Sequence, residues 1–393
     1  MGKSLLYTDV SKRAEVNGRN PFESARTSDI ISEESFEATY GPGSEEDRKR
    51  KRRSRIIWTV IFFIVNGGVI AYIAINEFSR EHPDPLGYKF HFSNVMFIVA
   101  GFLCIFLALA FETVKYVVMM DGLGEKISIR TAFETAALGK YYDSITPTGA
   151  GGQPFQIYYM HKQGYDVGVS AAMPLAAFLF MQLAFVLLAI LTFIFKGDAV
   201  ETIAIRIPAF VGIIFYSAVP FFIILFAISD KIAKKPVLFF IKTGAKLRLI
   251  KNAEKKTASV LNTFEKYQES IKLIARKKNL IVKLFILSFL YQLAICSIPF
   301  FVLHAYRGTG SYIDILAMTV FIYCAITIIP TPGNSGAAEG SFYLIFSQLD
   351  YSGLFWGMLI WRFICYYTFI IIGALIYGFN ALERQLGKRK AKT

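Results

Sequence analysis

The sequence has little charge for its length, since only 18% of its 393 residues are Asp, Glu, Lys or Arg. Soluble proteins carry about 25% charged residues. Hydrophobic residues make up 54% of the chain, and several apolar runs reach the roughly 20 residues that cross a bilayer. The composition argues against a soluble multidomain protein and predicts an all-α, polytopic membrane bundle.

Motifs for redox, metal or nucleotide chemistry are also missing. The four cysteines lie in apolar runs without a CxxC spacing, so we expect no disulfide framework, no metal site and no cofactor. No Walker-type loop, dinucleotide fingerprint or Ser-His-Asp set is present. His161 and Asp166 have the His-x4-Asp spacing of glycerolipid acyltransferases. The companion motifs of that family are absent, and a loop histidine is the better interpretation.

The net charge of +14 is concentrated beside apolar runs, at Arg48–Arg53 and in the segment Asp230–Lys283. Lys and Arg collect in cytoplasmic loops, so this charge indicates orientation and not a nucleic-acid partner. We expect residues 1–49 to form a disordered cytoplasmic tail. Residues 50–383 then form the transmembrane domain, with the basic cytoplasmic loop 230–283, and residues 384–393 form a basic cytoplasmic tail.

Six apolar runs are predicted to be full spans: Ile56–Asn76, Val95–Met120, Val167–Phe195, Ile207–Ile228, Leu284–Tyr306 and Leu354–Phe379. Two further segments, Thr131–Met160 and Tyr312–Leu349, are broken by Gly and Pro, and their flanks are too short to span alone. We predict that both are re-entrant hairpins. With the basic loop and both termini inside, the hairpins enter from opposite faces, as in an inverted repeat with a site near the bilayer midplane.

The two breaks, Thr146–Pro154 and Pro330–Gly340, are the predicted functional centre. A short helix begins after each break, near Gln153 and near Ala337, and the free amides of such a helix end attract phosphate or carboxylate. The alternative is that Gly and Pro only let the hairpins turn and pack. The candidate substrate-binding residues are Thr146, Thr148, Gly149, Gly151, Gly152, Gln153, Thr331, Gly333, Asn334, Ser335, Gly336, Glu339 and Arg362.

Ionisable residues at membrane depth usually face a partner or a cavity. We expect Arg362 to pair with Glu339 or to offer its planar fork to a phosphate. The alternative for Arg362 is that it snorkels to the external surface.

Four more ionisable residues lie in or beside the first hairpin. Glu134 and Asp143 are possible cavity charges. Glu112 and Lys115, three residues apart near the end of the second span, form either a simple pair or the rim of the cavity.

At the two breaks the sequence resembles the lysylphosphatidylglycerol synthase transmembrane-region family, which includes the flippase half of the multiple peptide resistance factor. The segments that carry the resemblance are Thr146–Pro154 and Ile329–Gly340, and it extends over about residues 55–380. It implies a multi-pass protein of the bacterial plasma membrane that translocates a phospholipid, anionic or lysylated. In some relatives this activity supports resistance to cationic antimicrobial peptides. A homodimer or a separate lipid-modifying synthase is the implied protein partner.

Full-length synthases of that kind also have a large cytosolic domain that transfers lysine to phosphatidylglycerol. The tail Ala381–Thr393 is too short for such a domain, so we expect a flippase and no lysyltransferase. Two alternatives stay open. One is a membrane-bound transferase that acts on lipid, of the phosphatidylglycerol lysyltransferase or glycosyltransferase type. The other is a proton-coupled transporter with Glu339 as the proton carrier.

Overall fold

The computed structural model describes most of the chain after the first predicted span. Apart from Ile75, the span Ile56–Asn76 lies outside the described residues, as do the tail 1–49 and most of the loop 230–283. The structure describes residues 92–146, 149, 151–199, 203–228, 271–306, 308–327, 329, 331–349 and 353–390, together with Ile75 and Gln268.

All regular structure in this part of the chain is helical, so the predicted all-α bundle is confirmed. In chain order the helices are α1 (Phe92–Gly122), α2 (Ile129–Ile145), α3 (Gly152–Lys162), α4 (Val167–Phe195), α5 (Ile203–Ile228), α6 (Lys278–Ala305), α7 (Tyr312–Ile326), α8 (Ala337–Phe346), α9 (Leu354–Arg362) and α10 (Thr368–Lys390).

Five stretches in the described ranges are long and apolar enough to cross a membrane. They are α1, α4, α5, α6 and the continuous run Leu354–Asn380, and they match the second to sixth predicted spans. Large apolar side chains on their outer faces stay exposed, among them Phe210, Ile214 and Phe221 of α5. A contiguous apolar face of this kind is unfavourable in water and is expected in contact with lipid.

The last span is not a uniform α-helix. A π-helical turn, Phe363–Tyr367, separates α9 from α10 directly after Arg362. Such turns widen the helix locally and often occur at functional sites. Helix α10 then continues to Lys390, past the predicted end of the span at Phe379.

The two broken segments form two pairs of short helices, α2 with α3 and α7 with α8, and the members of each pair pack against each other. Helix α3 also packs on α4, and α8 packs on α9. Helix α2 contacts α1, α10 and the short 3-10 turn Pro332–Asn334, which belongs to the second break. The first hairpin therefore touches the second break in the interior of the bundle. The face from which each hairpin enters the membrane stays a prediction.

Candidate functional site

The first break is stabilised by its own side chains. The Thr146 hydroxyl donates to the carbonyl of Tyr142 at 2.7 Å and accepts from the amide of Gly151 at 2.9 Å. Gly149 has a φ of +63°, a left-handed conformation that favours glycine. Pro147, Thr148 and Ala150 lie outside the described residues. The chain can change direction after α2 because the Thr146 hydroxyl forms hydrogen bonds with backbone groups that no longer have partners within a helix.

A carboxylate occupies the helix end that follows the first break. Helix α3 begins at Gly152, close to the predicted start at Gln153, and the Gly152 amide donates to Asp143 Oδ1 at 2.8 Å. Asp143 belongs to α2, so the acid of one hairpin arm covers the electropositive end of the other arm.

The second break also has a carboxylate at its helix end, but this carboxylate belongs to the helix itself. Helix α8 begins at Ala337, as predicted, and the Gly336 amide donates to Glu339 Oε2 at 2.7 Å. The Thr331 hydroxyl donates to the Ser335 carbonyl at 3.0 Å. Asn334 has a φ of +52°, a conformation in which asparagine is enriched. At both helix ends that were predicted to attract a ligand anion, a carboxylate of the protein itself accepts a hydrogen bond from a backbone amide. That these helix ends bind a ligand stays a prediction.

Arg362 binds the second break from the last span. Its Nε lies 2.6 Å from Glu339 Oε1. Its Nη2 donates to the Gly333 carbonyl at 2.7 Å and to the Ser335 hydroxyl at 2.9 Å. Arg362 is only 6% exposed and Glu339 only 1%. The structure thus contains the pairing expected from the sequence, and the alternative in which Arg362 snorkels to the surface is not seen.

Tyr366 connects the two breaks. Its ring lies under the Arg362 guanidinium, with 4.3 Å between the guanidinium carbon and the ring centre. Its hydroxyl donates to the Ser144 carbonyl in α2 at 2.9 Å. Tyr366 lies within the π-helical turn, four residues after Arg362. Tyr366 therefore contacts both Ser144, just before the first break, and Arg362, which binds the second break.

A small polar cavity lies between the first hairpin and helices α1 and α4, with room for about one water molecule. Two of the predicted site residues, Asp143 and Gln153, line this cavity. Glu134 is not among the lining residues. The other polar residues that line it are Glu112, Tyr116, Lys140 and Gln156.

Lys115 lies beside this cavity and all three of its donors are used. Its Nζ lies 2.6 Å from Glu112 Oε2. It donates to the Ala177 carbonyl at 3.1 Å and to the Ser288 hydroxyl at 3.3 Å. Lys115 is 0% exposed and Glu112 is 4% exposed. Both predicted alternatives for Glu112 therefore hold, because it is paired and it also lines the cavity.

Glu134 has a separate environment near the beginning of α2. It pairs with Arg130 at 2.9 Å, accepts from the hydroxyl of Tyr159, and lies 3.4 Å from the Asn380 amide in α10. These contacts join the first hairpin to the end of the last span. Glu134 thus acts as a link between helices in this structure.

The residues with the acyltransferase-like spacing have structural contacts. Asp166 caps α4 by accepting from the Gly168 amide at 2.7 Å, and His161 Nδ1 lies 3.3 Å from the Tyr165 carbonyl. His161 lies in the last turn of α3 and not in the predicted loop, and both residues have structural contacts.

Sequence reasoning missed two of the polar residues that line the cavity, Tyr116 and Gln156. Their only signal was position, because Tyr116 follows Lys115 directly and Gln156 is three residues after Gln153. Among the described residues, no cluster of three or more His, Cys, Asp or Glu side chains is suited to a metal ion. The arrangement provides a buried polar interior with both charge signs, suited to binding a charged group within a membrane.

The chain matches a family model and two curated relatives. The family is described as the lysylphosphatidylglycerol synthase TM region, and its model matches residues 56–373. A UPF0104 membrane protein of Archaeoglobus fulgidus is 26% identical over 275 residues, which cover 68% of this chain and 81% of that relative. A UPF0104 membrane protein of Methanothermobacter thermautotrophicus is 23% identical over 268 residues, which cover 66% of this chain and 78% of that relative.

Proposed function

Because the chain belongs to the lysylphosphatidylglycerol synthase transmembrane-region family, we propose that it is a lipid translocase. Its substrate would be a phospholipid or an aminoacylated phospholipid, moved between the two leaflets of the membrane in which the chain lies. The bacterial plasma membrane and the cytoplasmic position of both termini are part of the same proposal.

The observation that carries the proposal is the buried Arg362–Glu339 pair, bound to a non-helical stretch of backbone inside an apolar bundle. Charged groups and irregular backbone are unfavourable at membrane depth unless they line a polar interior. A lipid headgroup needs such an interior to cross the apolar region, while its acyl chains can stay in the bilayer.

The contacts between the hairpins suggest how the interior would open on alternate sides. The Tyr366–Ser144 hydrogen bond and the contact of α2 with the turn Pro332–Asn334 hold the two hairpins together. Rocking one hairpin against the other would separate these contacts on one side, as in the alternating access of inverted-repeat transporters. The polar residues of one break and then those of the other would bind the lipid headgroup as it crosses the membrane.

The contacts support translocation more than the two alternatives. A membrane transferase of the His-x4-Asp type needs His161 and Asp166 to act together as a base, whereas Asp166 caps a helix. A proton carrier at Glu339 would have to release both Arg362 and the Gly336 amide to bind a proton.

The test is reconstitution of the full chain into vesicles that contain a fluorescent phosphatidylglycerol. Dithionite bleaches the label in the outer leaflet, and continued bleaching reports translocation. We expect wild-type vesicles to bleach further than protein-free vesicles, with or without a pH gradient. We expect Glu339→Gln to slow bleaching towards the protein-free rate, because the pair with Arg362 is lost.

The matched control is Asp314→Asn, which removes an exposed ion pair with Lys196 of 2.7 Å. It should bleach at the wild-type rate, because both partners lie at the surface. Wild-type protein that bleaches no faster than empty vesicles would contradict the proposed function. A rate that depends on a pH gradient would instead favour the proton-coupled alternative.

A further inference from the structure

Lys140 lines the small polar cavity, and its ammonium group forms no ion pair with a carboxylate of the described residues. Its Nζ lies 3.4 Å from the Met181 sulfur and 5.1 Å from the centre of the Tyr291 ring. Among the described residues, no carboxylate lies within ion-pair distance of it. A thioether and an aromatic side chain are weak partners for an ammonium group compared with a carboxylate.

The two carboxylates that line the same cavity are engaged elsewhere. Glu112 is paired with Lys115, and Asp143 covers the first amide of α3. Neither carboxylate lies within ion-pair distance of Lys140. The Lys140 ammonium therefore has donors that reach no carboxylate and that can bind an anionic oxygen.

Tyr116 supplies a second observation from a different helix. Its side chain is 0% exposed and lines the cavity, and its hydroxyl has no hydrogen-bond partner in the described part of the protein. A buried polar group without a partner is unfavourable, and nearly all such groups in proteins are paired. A hydroxyl in this position can donate to an anionic oxygen that enters the cavity.

We propose that Lys140 and Tyr116 form a binding subsite for the phosphoryl group of the transported lipid, between the first hairpin and helices α1 and α4. The proposal rests on the function proposed above and names the headgroup contact. It places the phosphoryl contact at Lys140, since the fork of Arg362 is already filled by Glu339, Gly333 and Ser335. Gln153, which lines the same cavity, adds an amide to the site.

Binding of a phosphoryl group at this subsite requires the cavity to enlarge. The space holds about one water molecule, and a phosphoryl group is larger. The first hairpin forms the wall opposite α1 and α4, so movement of α2 and α3 away from α4 enlarges the site. The left-handed Gly149 in the break between α2 and α3 is a position at which this backbone can turn.

The experiment measures binding by calorimetry in detergent, with the full chain and three probes. The probes are dihexanoyl phosphatidylglycerol, inorganic phosphate and uncharged dihexanoylglycerol. Lys140→Met should weaken binding of the phospholipid by about 10- to 100-fold, since it removes a charge-assisted contact. Tyr116→Phe should weaken it by about 2- to 10-fold. Binding of dihexanoylglycerol should not change in either variant.

Two comparisons separate a binding role from a structural role. Lys162→Met removes an exposed lysine from the same hairpin and should bind as wild type. A purely structural Tyr116 predicts that Tyr116→Phe keeps or raises the melting temperature without weakening binding, because its hydroxyl has no protein partner. Wild-type affinity in both Lys140→Met and Tyr116→Phe would overturn the proposal.

The three probes also distinguish the sources of the phosphoryl group. Inorganic phosphate that binds as tightly as the phospholipid, and with the same dependence on Lys140, would overturn the assignment to a lipid headgroup. Binding is measured without transport, so the two proposals fail separately. Phospholipid binding that depends on Lys140, in a protein that does not translocate lipid, would keep the site and reject the translocase.

Discussion

Two basic side chains at membrane depth, Lys115 and Arg362, have the same set of partners. Each binds one carboxylate, one backbone carbonyl and one serine hydroxyl. This set places a carboxylate oxygen 2.6 Å from each buried cation, which is the condition for keeping an ion pair out of water. Lys140 lacks a carboxylate in its set, and this difference is the reason for assigning it to a ligand.

At Arg362 the contacts predict a large effect on stability. Arg362→Ala leaves Glu339, which is 1% exposed, as an unpaired buried charge. It also removes the donors to Gly333 and Ser335. We expect a loss of about 3–5 kcal/mol in the free energy of unfolding, measured by unfolding in mixed micelles.

The control for Arg362 is Arg130→Ala. Arg130 also pairs with a glutamate, Glu134, but its side chain is 57% exposed. Glu134 is buried, but the exposed Arg130 side chain leaves the pair partly hydrated, so this variant should lose less stability than Arg362→Ala. An equal loss in the free energy of unfolding in the two variants would show that burial of the Arg362–Glu339 pair does not determine its contribution to stability.

For the elements, the sequence predicted which segments are helical and where they break. Helix α4 has the predicted bounds, and α8 begins at the predicted Ala337. The positions of helices and breaks can be predicted because each depends on a short, continuous stretch of sequence, either an apolar run or a group of Gly and Pro residues. The π-helical turn Phe363–Tyr367 was not predicted, because its five residues do not differ in composition from the rest of an apolar membrane span.

The environments of the helix ends could not be predicted from the sequence. Asp143 lies near the end of α2 and reaches the amide of Gly152, nine residues later at the beginning of α3. Only the path of the break brings the two groups together. Tyr116 and Lys140 meet at one cavity because α1 and α2 pack side by side. Apolar patterns identify the members of a bundle, but they do not specify which faces of two helices meet.

The second break gives an element-scale prediction at Gly333. Gly333 has a φ of +57°, and a Cβ there would collide with the ring of Tyr366. Gly333→Ala should therefore destabilise the break and shift Tyr366 from Ser144. We expect a loss of about 1–3 kcal/mol in the free energy of unfolding, with faster hydrogen exchange at the amides of α8.

The matched control is Gly340→Ala in the same segment. Gly340 lies inside α8, and a Cβ there would meet nothing within 4 Å. Alanine is the better helix former by about 0.5–1 kcal/mol, so this variant should be as stable as wild type or slightly more stable. A Gly333→Ala protein with the stability of Gly340→Ala would contradict the described geometry of the break.

Across the whole molecule, the two polar regions are linked. The cavity at the first hairpin is lined by Asp143, and the next residue, Ser144, accepts the hydrogen bond from Tyr366. Tyr366 in turn contacts the Arg362 guanidinium at the second break. Movement of one hairpin can therefore reach the other through Tyr366 and through the contact of α2 with the turn Pro332–Asn334, which provides a physical route for coupling the two hairpins.

The orientation of the bundle gives the last prediction, which concerns the two ends of α4. The helix has 29 residues, or about 44 Å at 1.5 Å per residue, which exceeds the apolar thickness of a bilayer. The Lys and Arg bias of the sequence predicts that the turn before α4 lies in the cytoplasm and the turn after it outside. In intact cells, a membrane-impermeant maleimide should label Asp198→Cys and leave Gly164→Cys unlabelled. Detergent should make both variants reactive, whereas labelling of both in intact cells would exclude a membrane-spanning α4.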